Sequence, residues 1–199
     1  MKWITARRIL ALAVVLTTTS GTSPTAEQWL DISGHHVRIR HAKLRLTTCL
    51  AIYRLTEIAK TTIQFEGHTG NERISPDGSV TGNVLVTAGP IVIDLPDYTW
   101  PGKTEHQRLN LARMLRAAFH HEVGHVLVAI ETMRSESGQG IAASSRKAYR
   151  AAAKRALADA LDRAGSEQAA YDRRSRHGRN QRGLGTPLRG PNIEMSCRP

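Results

Sequence analysis

A long stretch of this 199-residue chain carries its apolar residues at the 3.6-residue spacing of an α-helix. Thr104 stands before the stretch as an N-cap, and the spacing continues to about Met133. The recurring apolar residues are Leu109, Met114, Leu115, Ala118, Val126 and Ile130. The pattern predicts one helix over roughly residues 105–134, and any fold of the chain must bury the apolar face of this helix.

The same helix contains the motif His121-Glu122-Val123-Gly124-His125. Histidines four residues apart project from one helix face, so both imidazoles can bind the same ion, and zinc accepts nitrogen ligands. Glu122 stands beside them and is suited to act as the general base that takes a proton from a zinc-activated water. The motif predicts a zinc-dependent hydrolase that cleaves peptide bonds.

A catalytic zinc site also needs a third protein ligand and an open position for water. Glu131 follows the second histidine by six residues, but Val128 stands where a metzincin-type site needs a turn-making glycine. On an uninterrupted helix Glu131 points about 120° away from His125, which excludes it as a ligand. The residues themselves leave four candidates later in the chain: Asp159, Glu167, Asp172 and His177.

The segments before the long helix have the composition of strands and turns. Residues 36–46 alternate in short bursts and residues 83–95 are rich in Val and Ile, whereas residues 67–82 contain four glycines and predict a turn-rich connection. Residues 50–65 fit either a helix or a strand. This order of elements predicts an α+β fold in which a small, antiparallel sheet packs on the long zinc-binding helix.

One or two further helices are expected after the long helix. An Ala-rich segment runs from about Ser144 to Ala164, with Gly165 as its stop. Ser166 is placed to cap a shorter third helix that contains Tyr171.

The first 26 residues have the three-part layout of a secretory signal peptide. Lys2, Arg7 and Arg8 precede a short apolar run from Ile9 to Leu16, and small and polar residues follow. The apolar run is far shorter than the roughly twenty residues that cross a bilayer. We therefore expect cleavage between Ser20 and Ala26, and a periplasmic or secreted protein with no transmembrane segment.

The formal net charge of +11 suggests an anionic partner, but three of these charges lie in residues 1–26 and the other eight lie after residue 145. Residues 27–145 contain 12 basic and 12 acidic residues, whereas residues 146–199 contain 13 basic and 5 acidic ones. This basic region has few of the aromatic residues on which nucleic-acid bases stack. We expect no specific nucleic-acid partner, and docking of the basic region to an anionic envelope polymer instead.

Two further segments resemble a known family. The stretch Tyr171-Asp172-Arg173-Arg174-Ser175-Arg176-His177-Gly178 and the segment Ile93-Asp94-Leu95-Pro96 before the metal helix resemble the bacterial family of secreted zinc-dependent proteases catalogued as domain of unknown function 922. Members are similar in having a strand that ends in Leu-Pro, the metal helix and a later Tyr-Asp-x-x-Thr-x-His-Gly segment. Ser175 stands where Thr is usual, a substitution that keeps the hydroxyl.

The resemblance implies that His177 is the third zinc ligand, together with His121 and His125. It also suggests that the Tyr171 phenol lies near the substrate oxyanion and that Asp172 orients a ligand histidine. The expected organisation is a signal peptide over residues 1–26, a zincin-like metalloprotease domain over 27–183 and a basic tail over 184–199. We expect a monomer that acts on a peptide or protein substrate.

Three questions stay open at the level of sequence. Cys49 and Cys197 are an even count in an exported chain and form either one disulfide or two free thiols. The protein is alternatively a non-catalytic zinc-binding envelope protein with a closed site. A third interpretation is a basic polyanion-binding protein without metal.

Overall fold

The computed structural model describes residues 28–45, 59–99 and 104–194, and for 42–45 and 97–99 the backbone alone. The expected signal peptide, the two cysteines and most of the ambiguous segment 50–65 lie outside these residues. Within them, seven strands and two long α-helices confirm the predicted α+β class.

The strands of the described residues form two sheets. In chain order they are β1 (Gln28–Ile32), β2 (His35–Arg45), β3 (Lys60–Thr62), β4 (Phe65–Ile74), β5 (Val80–Ala88), β6 (Ile91–Thr99) and β7 (Gly140–Ala143). The first sheet has the order β1-β2-β6-β3, with β2 and β6 parallel and the outer pairs antiparallel. The second sheet, β4-β5-β7, is antiparallel throughout. The second sheet matches the small antiparallel sheet expected from the sequence, whereas the first is mixed because β2 pairs in parallel with β6, a strand far along the chain.

Residues 67–82 form strands rather than the turn-rich connection that their glycines suggested. Gly67 and Gly70 lie in β4 and Gly82 lies in β5, so only the short link between the two strands turns. A Cβ atom on Gly82 would collide with the hydroxyl of Tyr149, which packs against this strand from a helix. The glycine thus permits a close approach of helix and sheet, which is a tertiary requirement that local sequence does not reveal.

Helix α1 (Glu105–Glu136) confirms the predicted long helix and ends two residues beyond the predicted end. The Thr104 side chain accepts a hydrogen bond from the backbone N–H of Gln107, and the Gln107 side chain accepts one from the backbone N–H of Thr104. This capping box satisfies two donors at the start of the helix. The apolar face of α1 includes Val126 and Ile130, which are buried in the core with residues of both sheets.

Helix α2 (Arg146–Ser175) is one continuous helix. The prediction of a stop at Gly165 and of a separate third helix is therefore wrong. Glycine in a helix interior costs about 1 kcal/mol relative to alanine. Ala160, Ala164 and Tyr171 are fully buried on the packed face of α2, and such tertiary packing outweighs a local propensity of that size.

After α2 the chain turns and packs against α1. Arg176, His177 and Gly178 have left-handed backbone conformations in succession, with φ values of 50°, 51° and 82°. A 3-10 helix (Gln181–Gly183) follows, and its fully buried Gln181 side chain donates to the carbonyl oxygens of Ala117 in α1 and of residue 191. Residue 191 belongs to the expected basic tail over 184–199, so this hydrogen bond connects the tail to the packed segment before it. In the described part of the chain, no helix combines the length and the apolar character that a membrane span requires.

Candidate metal centre

His121 and His125 project from the same face of α1, one helical turn apart, as the motif predicts. Their ring centroids are 4.9 Å apart. His121 is buried, and this burial lowers its pKa to about 4. Its imidazole is therefore neutral near pH 7, which is the form that binds metal ions. Nδ1 of His121 has no hydrogen-bond partner among the described residues, so the ring makes its polar contact through Nε2.

A carboxylate from α2 faces both histidines. Oδ1 of Asp172 lies 3.2 Å from Nε2 of His121 and 3.1 Å from Nε2 of His125. The three atoms all lie within 4.8 Å of one another. Donors that bind one zinc ion tetrahedrally, at about 2.0–2.1 Å, are roughly 3.4 Å apart. The spacing therefore fits one metal ion shared by these three side chains.

Gln168, one turn before Asp172 on α2, determines which nitrogen of His125 carries the proton. Its Oε1 lies 2.8 Å from Nδ1 of His125, and its Nε2 donates to the His125 carbonyl at 3.3 Å. Since Oε1 can only accept, Nδ1 is the protonated nitrogen and the lone pair of neutral His125 is on Nε2. That lone pair faces the Asp172 carboxylate, and a shared cation would stabilise two acceptors placed so close together.

Glu122 is buried on α1 and lines a cavity of about 660 Å³ that also contains His121, His125 and Asp172. The cavity lies between β3, α1, α2 and the segment after α2. Burial raises the pKa of Glu122 above its ordinary value, and a hydrogen bond from Thr61 offsets part of this rise. The Thr61 hydroxyl on β3 also donates to the Glu122 carbonyl at 3.2 Å and so ties this strand to the metal helix.

His177 lies beside this cluster and not within it. Its Nδ1 is 3.6 Å from Oδ1 of Asp172. Its side chain is 80% exposed and lines the same cavity. Its left-handed backbone is costly for a residue other than glycine, and such conformations concentrate at functional sites. The three grouped donors are therefore His121, His125 and Asp172, and the ligand role that the resemblance implies for His177 stays a prediction.

Tyr171 holds the two helices together at the cluster. It is fully buried, its ring stacks on His121 with centroids 5.0 Å apart, and its edge contact with His125 has a centroid distance of 4.8 Å. Its hydroxyl donates to the His121 carbonyl at 3.2 Å, and burial raises its pKa. The hydroxyl is thus bonded to the helix backbone, and the role near a substrate oxyanion suggested by the sequence stays a prediction.

The other acidic residues that the sequence raised lie away from the cluster. Glu131 is 70% exposed and pairs with Arg134, which agrees with its exclusion as a ligand. Glu167 is also exposed and lies 3.9 Å from Arg174. Asp159 is exposed on α2. Of the four downstream candidates, the structure therefore brings Asp172 into the cluster and His177 next to it.

Sequence reasoning missed two residues that support the site. Gln168 precedes Asp172 by four residues, the same spacing as the two histidines, so this helical pair was available as a signal. Thr61 gave no signal, because its strand lies 61 residues before Glu122 and reaches the metal helix only through the tertiary fold.

Comparison with known proteins assigns the chain to a family. A family model described as a bacterial protein of unknown function (DUF922) matches residues 27–178. The chain belongs to this family. The DUF922 match includes helix α1, Asp172 and His177. It begins at residue 27, far before the segments around Ile93 and Tyr171 on which the sequence resemblance rests. Neither a curated protein nor a solved structure matches the chain.

Proposed function

We propose that this DUF922 protein is an exported zinc-dependent metallopeptidase. One observation carries the proposal: Nε2 of His121, Nε2 of His125 and Oδ1 of Asp172 converge beside the buried Glu122 in an accessible cavity. Three protein donors, an acidic neighbour and space for a substrate are the composition of a catalytic zinc site. Export rests on the signal-peptide pattern of the first 26 residues.

In this proposal His121, His125 and Asp172 hold the ion, and Gln168 keeps the His125 ring in its binding orientation. Zinc, when bound, supplies a Lewis acid that activates water and polarises a peptide carbonyl. The Glu122 carboxylate accepts a proton from the attacking water and delivers it to the nitrogen of the leaving amine. Both transfers use the same carboxylate, which lines the cavity next to the donors.

Replacement of Glu122 by glutamine tests the mechanism. We expect the Glu122→Gln variant to keep one zinc ion per chain, measured by elemental mass spectrometry, and to lose at least about 100-fold in kcat/KM on a fluorogenic peptide mixture. Glu131→Gln, an exposed position on the same helix, is the matched control and keeps wild-type activity. Unchanged hydrolysis by Glu122→Gln contradicts the general-base role, and zinc-free wild-type protein from metal-replete medium contradicts the metal centre.

A second candidate function is a non-catalytic zinc-binding protein. The position of His177 favours it, because its Nδ1 lies 3.6 Å from Asp172 Oδ1 and would give the ion a fourth protein donor. Structural zinc sites have four protein ligands and no open position. X-ray absorption of the zinc protein distinguishes the two functions: loss of one nitrogen donor in His177→Ala, with no peptide hydrolysis by the wild type, supports the closed site.

A further inference from the structure

Two basic side chains line the cavity of the candidate metal centre, and neither has an acidic partner among the described residues. Lys60 belongs to β3, and Arg179 follows α2. Unpaired cations are common on the exposed surface of the described chain, but Lys60 and Arg179 are the ones that lie in this cavity wall. The two cations therefore reach one cavity from two different elements.

The carboxylates that line this cavity do not neutralise the two cations. Among the described residues that form its wall, the acidic ones are Glu122 and Asp172. Oδ1 of Asp172 faces Nε2 of both histidines of the cluster, and Glu122 is buried beside Thr61. Neither makes an ion pair with Lys60 or Arg179, so the positive charge of the wall is available to a ligand.

The backbone at Arg179 is anchored on both sides. The carbonyl of Gly178 accepts from Ile193 N–H at 2.9 Å, and Asn180 N–H donates to the Ser175 carbonyl at 2.7 Å. The buried Gln181 side chain then ties the segment to α1 through a 3.0 Å bond to a carbonyl one turn before His121. The backbone that carries the exposed Arg179 side chain is therefore held in place at the rim of the cavity.

The charge of the surrounding chain supports an anionic ligand. The chain from residue 146 onward has 13 basic and 5 acidic residues, and an excess of one charge sign attracts ligands of the opposite sign. A guanidinium binds a carboxylate through two parallel hydrogen bonds, a geometry that a neutral amide does not match. A carboxylate side chain on a peptide in this cavity would thus gain contacts that its amide counterpart lacks.

We propose that Arg179 and Lys60 select peptide substrates that carry an acidic side chain close to the cleaved bond. This inference rests on the proposed peptidase function and names its substrate class. The cations touch the substrate and not the reacting atoms, so they determine specificity and leave the chemistry to the metal centre.

The test measures binding first, without turnover. The probes are fluorescein-labelled ten-residue peptides of neutral residues, each with a single Glu at a different position. Each Glu peptide has a counterpart with Gln at the same position. All peptides are titrated against zinc-loaded Glu122→Gln protein. We expect the best Glu peptide to bind about fivefold more tightly than its Gln counterpart, as an exposed ion pair of about 1 kcal/mol predicts. Adding Arg179→Gln or Lys60→Gln lowers this ratio, and Arg150→Gln, an exposed charge outside the cavity wall, leaves it unchanged.

The same peptide pairs are then given to protein that retains Glu122, and kcat/KM is compared. A preference for Glu in both experiments supports the proposal, and Arg179→Glu shifts the preference towards peptides with Lys. Equal affinity for Glu and Gln peptides, or a preference that survives both cavity variants, overturns it. If the Glu preference in binding is present and no peptide is cleaved, the acidic selectivity stands and the peptidase function fails.

Discussion

At the scale of single residues, Asp172 converts a two-histidine motif into a set of three donors. Its Oδ1 is 3.1–3.2 Å from both Nε2 atoms, whereas His177 reaches the cluster only through a 3.6 Å contact with Asp172. His177 is also largely exposed, so its side chain is held by fewer neighbours. The geometry ranks the aspartate above the histidine as the third ligand.

This ranking predicts different losses of zinc affinity for two variants. We expect Asp172→Asn to weaken zinc binding by more than about tenfold, and His177→Ala to weaken it less, because Asp172 contacts both histidines. Competition with a chromophoric chelator measures both affinities. Asp162→Asn, an exposed position on the same helix, keeps wild-type affinity. A larger loss in His177→Ala than in Asp172→Asn would reverse the assignment.

The part of the site that one helix encodes could be predicted from the sequence. His121, Glu122 and His125 were found because a helix fixes the separation of residues four apart. Asp172 could only be named as one of four candidates, because its position depends on how α2 packs against α1. The contacts of Tyr171 could not be predicted for the same reason, since the local sequence does not reveal that its hydroxyl bonds to a carbonyl of the other helix.

At the scale of the elements, α1 and α2 approach each other closely where Tyr171 lies over Gly124. A Cβ atom on Gly124 would collide with the hydroxyl of Tyr171 and with its ring. Gly124, which lies between the two histidines of the motif, therefore allows α2 to come close enough for Asp172 to reach His121 and His125. Farther along the same pair of helices, Arg163 donates to Oε2 of the buried Glu136 at 2.7 and 2.9 Å.

Two glycine-to-alanine variants in these helices are expected to have opposite effects. Gly124→Ala forces the helices apart and lowers the free energy of unfolding by about 1–3 kcal/mol. Gly165→Ala meets no atom within 4 Å and raises it by about 0.5–1 kcal/mol through helix propensity. Urea unfolding of both variants measures the difference. A neutral Gly124→Ala variant would show that the contact with Tyr171 does not hold the helices in place.

The elements themselves differed in how far sequence could predict them. Helix α1 has a cap and a periodic apolar face, and its limits were found to within two residues. The interruption of α2 at Gly165 was wrong, because packing outweighs the preference of one glycine. The strands around Gly67 and Gly82 were missed because glycine there serves contacts with α2, and sequence does not show which residues meet across a fold.

At the scale of the whole molecule, the candidate donors belong to two helices that also carry the core. His121 and His125 lie on α1, and Asp172 lies on α2. Helix α1 contacts both sheets, and α2 contacts the second sheet. An ion shared by these donors would therefore connect the two largest elements, and its binding free energy would add to the stability of the fold.

Removal of metal is accordingly expected to lower the melting temperature. At a free zinc concentration 100 times Kd, binding to the folded state alone contributes about 2.7 kcal/mol, which corresponds to roughly 5–10 °C for a domain of this size. Differential scanning calorimetry with zinc and with a chelator measures the change. The His125→Ala variant gives little or no shift between the two conditions. An equal melting temperature of the wild type in both conditions would mean that the ion does not link the helices.

In the proposed function, the residues that recognise the substrate and the residues that carry out the chemistry lie in different parts of the chain. The DUF922 match ends at residue 178, and the next residue with a side chain, Arg179, lines the cavity together with Ile193. The donors and Glu122 all lie before that point, in the core helices. In the proposed peptidase, substitutions in the segment after residue 178 would therefore change substrate preference without altering the two helices that carry the candidate donors.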